Sequence, residues 1–430
     1  MCYTQKVKKD EKEKLKNTLL GNIIITYKKE GIIRIPESTE IIEIAHDFLG
    51  TALNGDAVKI LLHPKKPGLN QTGEVVEIIS RVKVGHAGIL EEENGIFYLH
   101  PSDNRTYVDI VIPKDKLNGA EVGQKVFGVI TDWKNNERPP VGEIKKVLGK
   151  PFENEAEMQA IALEKGFDSN FPKEVTEEAR KVANLDLSKE EISKRRDLRS
   201  TTTITIDPVD AKDFDDAISF TALPSGKFEV GVHIADVSHF VKKEGFLDKE
   251  ARERGTSVYL VDRTIPMLPE ELSNDICSLK PGEDRLAFSA IFEMDKEGNV
   301  SNRWFGKTII HSDKRFTYEE AEIVIKNKKG SYSHELITLN QIAKKLHKRR
   351  FEKGAISLEH DEVRFVLDED GKPVSVYVKE RGDSNKMIEE LMLLANREVA
   401  EFISKKRRKE EGVFLYRIND LPNKEKVKDV

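Results

Sequence analysis

Thr201–Phe220 reads TTTITIDPVDAKDFDDAISF, a β-branched run that leads into five aspartates within ten residues. The Thr and Ile residues of Thr201–Ile206 fit a pleated, partly buried strand, and Asp207-Pro208 brings it to a stop. The carboxylates of Asp207, Asp210, Asp213, Asp215 and Asp216 therefore begin where a strand ends. Gathered in a partly dry pocket they repel one another, because like charges a few ångströms apart cannot all stay ionised. A divalent cation removes that conflict. Oxygen-only donors suit Mg²⁺ or Mn²⁺, and carboxylate clusters holding one or two such ions serve nucleases and polymerases that act on phosphodiesters. A calcium loop of the EF-hand type is a poor fit, since its Gly and its closing Glu are not in place. An exposed acidic turn is the plain alternative.

Around this stretch the chain has 430 residues, enough for roughly two to four domains with separate cores. Charged residues make up 34%, yet the net charge is only −5, so affinity for a polyanion must come from local basic surfaces. Cys2 and Cys277 are far apart and form no metal-ligand pair, and the N-terminus does not read as a secretory signal. No apolar run approaches the about twenty residues that a membrane span needs. The expectation is a cytoplasmic monomer with no membrane partner.

Residues 1–20 read as a Lys- and Glu-rich tail. From Gly21 to Leu148 short β-branched runs alternate with Gly, Pro and Asn, which predicts all-β structure. The pattern repeats: Ala52–Val58 (ALNGDAV) returns in outline as Ala120–Val126 (AEVGQKV), and Gly73-Glu-Val as Gly142-Glu-Ile. Two OB-type barrels follow, one over 21–72 and one over 73–149. Such barrels often bind single-stranded nucleic acid through a basic groove with stacking aromatics. The second offers Phe97, Tyr98, Tyr107 and Trp133 with Arg105 nearby; the first offers Tyr27 and Phe48.

Residues 150–198 read as a helical connector, its helices Glu153–Lys165 and Lys173–Ala183 parted by Asn170-Phe171-Pro172. Lys194-Arg195-Arg196 reads as a solvated helix end within reach of a phosphate backbone. Over 199–430 strands and helices mix without strict alternation, which predicts an α+β domain.

The order of the pieces is diagnostic. TIDPVDAKDFDD (Thr205–Asp216), HIADVSH (His233–His239), GTSVY (Gly255–Tyr259), IPMLP (Ile265–Pro269), LSN (Leu272–Asn274), CSL (Cys277–Leu279) and IEELMLLAN (Ile388–Asn396) follow two cold-shock-like barrels. The series resembles the ribonuclease II and ribonuclease R family of 3′-to-5′ exoribonucleases. The resemblance implies Mg²⁺-dependent hydrolysis of single-stranded or structured RNA to nucleoside 5′-monophosphates. It also implies that Asp207, Asp213, Asp215 and Asp216 hold the metal, with Asp213 and Asp215 catalytic and Asp215 closest to the cleavage step. Tyr259 matches the aromatic that stacks on the 3′-terminal base, and Glu390 a residue near the terminal nucleotide. His233 and His239 are expected to be structural.

Against the family pattern, Val430 follows soon after FLYRINDLP (Phe414–Pro422), without the arginine-bearing motif and the S1 barrel that the family adds. The expectation is an incomplete catalytic domain in which the apolar face of Leu391–Val399 has nothing to pack against. A truncated RNA-binding module without catalysis, and a metal-binding protein with no RNA partner, are the competing readings.

Overall fold

The computed structural model describes residues 17–35, 40–83, 85–185, 187–356, 362–369, 371–407, 414–416 and 418. Cys2, most of the expected tail and most of the FLYRINDLP motif lie outside the described residues. The chain forms two compact units: 1–170 with 258–265 and 367–372, and 171–257 with 266–366 and 373–430.

In the first unit, β1 (Thr18–Asn22), β2 (Ile24–Ile25), β3 (Gly31–Arg34), β4 (Ile41–Ile44), β5 (Ala57–Leu62) and β6 (Gln71–Ser80) run in the order β1-β5-β6-β4-β3-β2. β1 pairs with β5 and β2 with β3, so one strand bent at Ile23 borders both ends of the sheet. Ile23, Ile33, Ile42, Val58 and Ile60 fill the interior. β7 (His86–Glu93), β8 (Ile96–Pro101), β9 (Ile110–Ile112), β10 (Lys125–Asp132) and β11 (Val141–Gly149) close a second barrel around Leu90, Leu99, Ile110 and Ile144.

The repeat read in the sequence is a structural one. Ala52 and Ala120 precede β5 and β10, while Gly73 and Gly142 lie early in β6 and β11, which pair in parallel with β4 and β9. A Cβ at Gly73 would stand 2.8 Å from the Leu61 carbonyl oxygen, and one at Gly142 2.6 Å from that of Val129, so each last strand needs glycine to cross its neighbour closely. β6 belongs to the first barrel. The boundary expected between residues 72 and 73 is therefore corrected to lie after Ser80, because a five-stranded barrel stays open without its last strand. The tail, too, ends earlier than expected, since β1 starts at Thr18.

The expected connector over 150–198 is not one piece. Helix Asn154–Glu164 packs Ala156, Ala160 and Leu163 on Ala87, Phe127 and Leu148 of the second barrel. Helix Lys173–Ala183 instead buries Val175 and Ala179 in the core of the second unit. Apolar spacing shows a helix's inner face but not which core it meets.

The second unit is built on a seven-stranded sheet. Its strands are β12 (Arg196–Leu198), β13 (Thr203–Asp207), β14 (Asp216–Ala222), β15 (Phe228–Ala235), β18 (Asp284–Met294), β19 (Val300–His311) and β20 (Lys314–Thr317), in the order β12-β19-β18-β15-β14-β13-β20. The omitted numbers belong to a short ribbon of the first unit, β16 (Val258–Tyr259) and β17 (Thr264–Ile265). Neighbouring residues such as Ala217 and Ile218, or Ile291 and Phe292, enter different cores, as the alternation of a strand requires. Helices Tyr318–Asn327, Ser333–Glu352 and Asp383–Arg407 cover one face; Lys173–Ala183 and Phe246–Arg254 pack on the other.

Two expectations fail in this unit. Leu391, Leu394 and Met387 are fully or almost fully buried against Leu336, Leu339 and Ile342, so the apolar face of helix Asp383–Arg407 is covered. Arg195 is no solvated helix end: its side chain is inaccessible and bonds Asp236 at 2.7 Å and Glu191 at 2.6 Å. Among the described residues no helix is long and apolar enough to cross a membrane.

Candidate active site

The aspartates sit where two neighbouring strands part. β13 pairs antiparallel with β14 at Thr203 with Ser219 and Ile204 with Ile218. From Thr205 onward it pairs only with β20, Asp207 lying opposite Thr317, while Asp216 at the start of β14 pairs with Ile234 of β15. The separation leaves Asp207 on one side of a gap and Asp216 on the other. The loop 208–215, which carries Asp213 and Asp215, joins them.

That loop has no regular structure but is tied at several points. Phe214 N–H donates to Ser278 Oγ (3.0 Å), and Ser278 Oγ donates to the Lys212 carbonyl (2.8 Å). Leu279 N–H bonds the Phe214 carbonyl and Ala235 N–H that of Asp215. Arg315 Nη2 donates to the carbonyls of Pro208 (2.5 Å) and Val209 (3.0 Å), and its guanidinium lies 5.6 Å from the Phe214 ring. Fixed backbone holds carboxylates near one another that would otherwise swing apart.

The electrostatics follow from that crowding. Asp207 is only 8% exposed. Its carboxyl is pushed up to about 7, first by burial and then by the charge of Asp216 and, less, that of Asp213, against the opposing pulls of the Thr205 side chain and of Arg315. Burial, then Asp215, raises Asp216 to about 6. Asp215 lies at the surface, yet the protein around it and then Asp213 raise its carboxyl as well. Burial pushes the Tyr318 hydroxyl up to about 12, with Asp216 and Asp207 adding to the shift. Asp207 Oδ2 is buried with no hydrogen-bond partner among the described residues. Asp210 is exposed, as Asp215 is.

These donors fit a hard divalent cation. They are all oxygens, one is orphaned, and positive charge placed among them would favour the ionised form of every raised carboxyl. They are spread more widely than the shell of one ion, however. Among the described residues, three carboxylate or imidazole ligand atoms within 4.8 Å of one another occur only at Glu91, Glu93 and His100, on the second barrel.

The other expected site residues fall elsewhere. Tyr259 lies on the β16–β17 ribbon of the first unit, 66% exposed. Glu390 is 3% exposed, its carboxylate bonded by Arg350 (2.6 Å) and His347 (2.8 Å). The expected RNA contact at Glu390 thus falls on a carboxylate engaged in a partly buried ion pair that ties two helices. His233 is inaccessible between Ser219 (2.8 Å) and Ser289 (2.6 Å), and burial lowers it to about 3, so it is a neutral structural residue as expected. Tyr107 is half-buried against the core of the first barrel, and its hydroxyl bonds the Ala52 carbonyl there. Tyr27 and Phe48 of that barrel are the more exposed aromatics. Sequence reading gave no role to Ser278 or Arg315. Ser278 stood inside a quoted motif, whereas Arg315 becomes visible only once β20 is laid beside β13.

An RNB domain model matches residues 195–430, more than half of the chain, and a cold shock domain model matches 98–172. The chain belongs to the RNB-domain ribonuclease family. Ribonuclease R of Thermotoga maritima is 34% identical over 414 residues, covering 94% of this chain and 57% of that protein. DIS3-like exonuclease 2 of Schizosaccharomyces pombe is 46% identical over 299 residues, covering 65% of this chain and 32% of that protein. Mycoplasma genitalium RNase R, solved with ribose-methylated single-stranded RNA, superposes with a TM-score of 0.81 at 26% identity, covering 90% of this chain and 62% of that one. The chain thus spans between about a third and about three fifths of these relatives. The RNB match contains the strand gap and all four aspartates, and the cold shock match runs through helix Asn154–Glu164, which packs on the second barrel.

Proposed function

We propose that the strand gap is the catalytic centre of a 3′-to-5′ exoribonuclease that hydrolyses single-stranded or structured RNA to nucleoside 5′-monophosphates. The observation that carries this reading is the set of carboxyls raised by burial and then by one another in an RNB domain, with Asp207 Oδ2 buried and without a hydrogen-bond partner among the described residues. Asp207, Asp213, Asp215 and Asp216 would hold a divalent cation, Mg²⁺ or Mn²⁺. Bound there, it would lower the pKa of a water nucleophile and stabilise charge on the scissile phosphate. Asp215 reaches furthest toward solvent and is assigned to the cleavage step, with Asp213 beside it. Ser278 and Arg315 act through the backbone, holding the loop that aims both groups. Tyr259 stacks on the 3′-terminal base, a role that an exposed aromatic face fills without reading sequence. Solved Mycoplasma genitalium RNase R complexes with single- and double-stranded RNA support RNA as the substrate class. Work as a cytoplasmic monomer completes the proposal.

The spread of the aspartate oxygens favours a second reading, RNA binding without cleavage. A 5′-labelled RNA incubated with Mg²⁺ or with EDTA, beside a filter-binding assay, separates the two. The first reading expects stepwise shortening that EDTA stops. Binding with no shortening in Mg²⁺ or Mn²⁺ would establish the second.

A further inference from the structure

Tyr259 stands on a ribbon with two paired positions, Val258 with Ile265 and Tyr259 with Thr264. Two strands this short are not stable alone in water, so contacts outside the ribbon set where the ring lies. Helix Asn154–Glu164 supplies them. It is itself fixed to the second barrel: Lys125 Nζ bonds both Glu157 oxygens (2.8 and 3.0 Å), and Glu164 accepts Ala87 N–H at 3.1 Å.

Asp262, in the turn of the ribbon, accepts from Asn154 Nδ2 (2.9 Å) and from Arg263 Nη2 (2.6 Å) and Nε (3.1 Å). Arg263 Nη1 reaches across to Glu155, whose other oxygen is bonded by Gln159. Beneath these charges Leu260 and Ile265 face Met158, Ala162 and Leu163 of the helix region around a small cavity. Arg263 holds the Asp262 carboxyl below the usual range, and Gln159 and then Arg263 do the same for Glu155, so the network is ionised at neutral pH.

We propose that the clamp Glu155–Arg263–Asp262–Asn154 positions Tyr259, and so makes the helix of the second barrel a determinant of where the 3′-terminal base is held. The inference rests on the reading that Tyr259 stacks on that base. Glu155 and Arg263 are positioning residues, acting on the RNA through the ring. A shift of about an ångström in a group that orients substrate is enough to weaken its action strongly.

The test uses the full chain in EDTA and a short RNA carrying 2-aminopurine at its 3′ end, whose fluorescence is quenched by stacking. The wild type quenches it at saturation, and Tyr259→Ala loses most of the quenching. Arg263→Met and Glu155→Gln each lose about half or more of it, as a misplaced stack would. Their overall RNA affinity changes by less than about five-fold, since a partly exposed ion pair is worth at most about 1 kcal/mol. Arg263→Lys recovers part of the quenching, and unchanged melting temperatures show that the variants fold. Wild-type quenching in both Arg263→Met and Glu155→Gln, with Tyr259→Ala defective, overturns the clamp alone. Wild-type quenching in Tyr259→Ala overturns the stacking role and the clamp with it.

Discussion

Asp215 is the exposed aspartate in a set whose deepest member, Asp207, is buried, and the roles proposed for them follow this gradient. Asp215→Asn keeps the shape of the side chain but removes the charge. It should abolish cleavage while RNA affinity stays nearly unchanged, and cleavage at the wild-type rate would remove the assignment. The raised carboxyls also set a pH dependence. With Asp207 near 7 and Asp216 near 6, the folded protein keeps protons that the unfolded chain releases near 4. Their contribution to stability is therefore fully present below about pH 4 and is lost as pH rises through about 6 to 7. A cation must displace those protons, so the rise in melting temperature on adding Mg²⁺ or Mn²⁺ should grow between about pH 5 and pH 8. Melts of Asp207→Asn, which should show a smaller and flatter rise, provide the comparison. The four aspartates stood out because they fall within ten residues of sequence, from Asp207 at the end of one strand to Asp216 at the start of the next. Ser278 and Arg315 were not, since they meet that loop from 64 and 107 residues away.

At the scale of elements, helix Asp383–Arg407 shows what periodicity can and cannot say. Its spacing exposes an apolar stripe, but the cover comes from Leu336, Leu339 and Ile342 on another helix, and no local pattern announces that pairing. Leu391→Ala should therefore cost about 2–5 kcal/mol, the range for a large-to-small change in a packed core. Denaturant unfolding measures it, and a loss below about 1 kcal/mol would mean that the face is uncovered after all. In the barrels the repeated Gly-Glu pattern was readable, yet the first copy was cut before its last strand. The pattern shows where copies correspond, not which strand closes each sheet. Gly142→Ala, which sets a methyl against the Val129 carbonyl, should destabilise the second barrel by about 1–3 kcal/mol.

For the whole molecule, tandem OB barrels before an α+β domain were readable from the order of motifs, and the structure and the RNB and cold shock matches agree with that order. The division of the connector was not readable, because both of its helices are amphipathic and only the folded chain decides which core each one enters. Limited proteolysis should accordingly give an N-terminal fragment that ends near Asn170 rather than near Leu148, and a second resistant fragment from the RNB unit. Cleavage near Leu148 would contradict the docking of helix Asn154–Glu164. Under the proposed function, the aspartate gap hydrolyses RNA from its 3′ end with a divalent cation. The most direct test is the identity of the products from uniformly labelled RNA, resolved by chromatography, for wild type and Asp215→Asn in Mg²⁺, Mn²⁺ and EDTA. Nucleoside 5′-monophosphates are expected one at a time from the wild type with metal, and none from Asp215→Asn or in EDTA. Internal cuts, products carrying a 3′-phosphate, or equal release by Asp215→Asn would contradict the proposal.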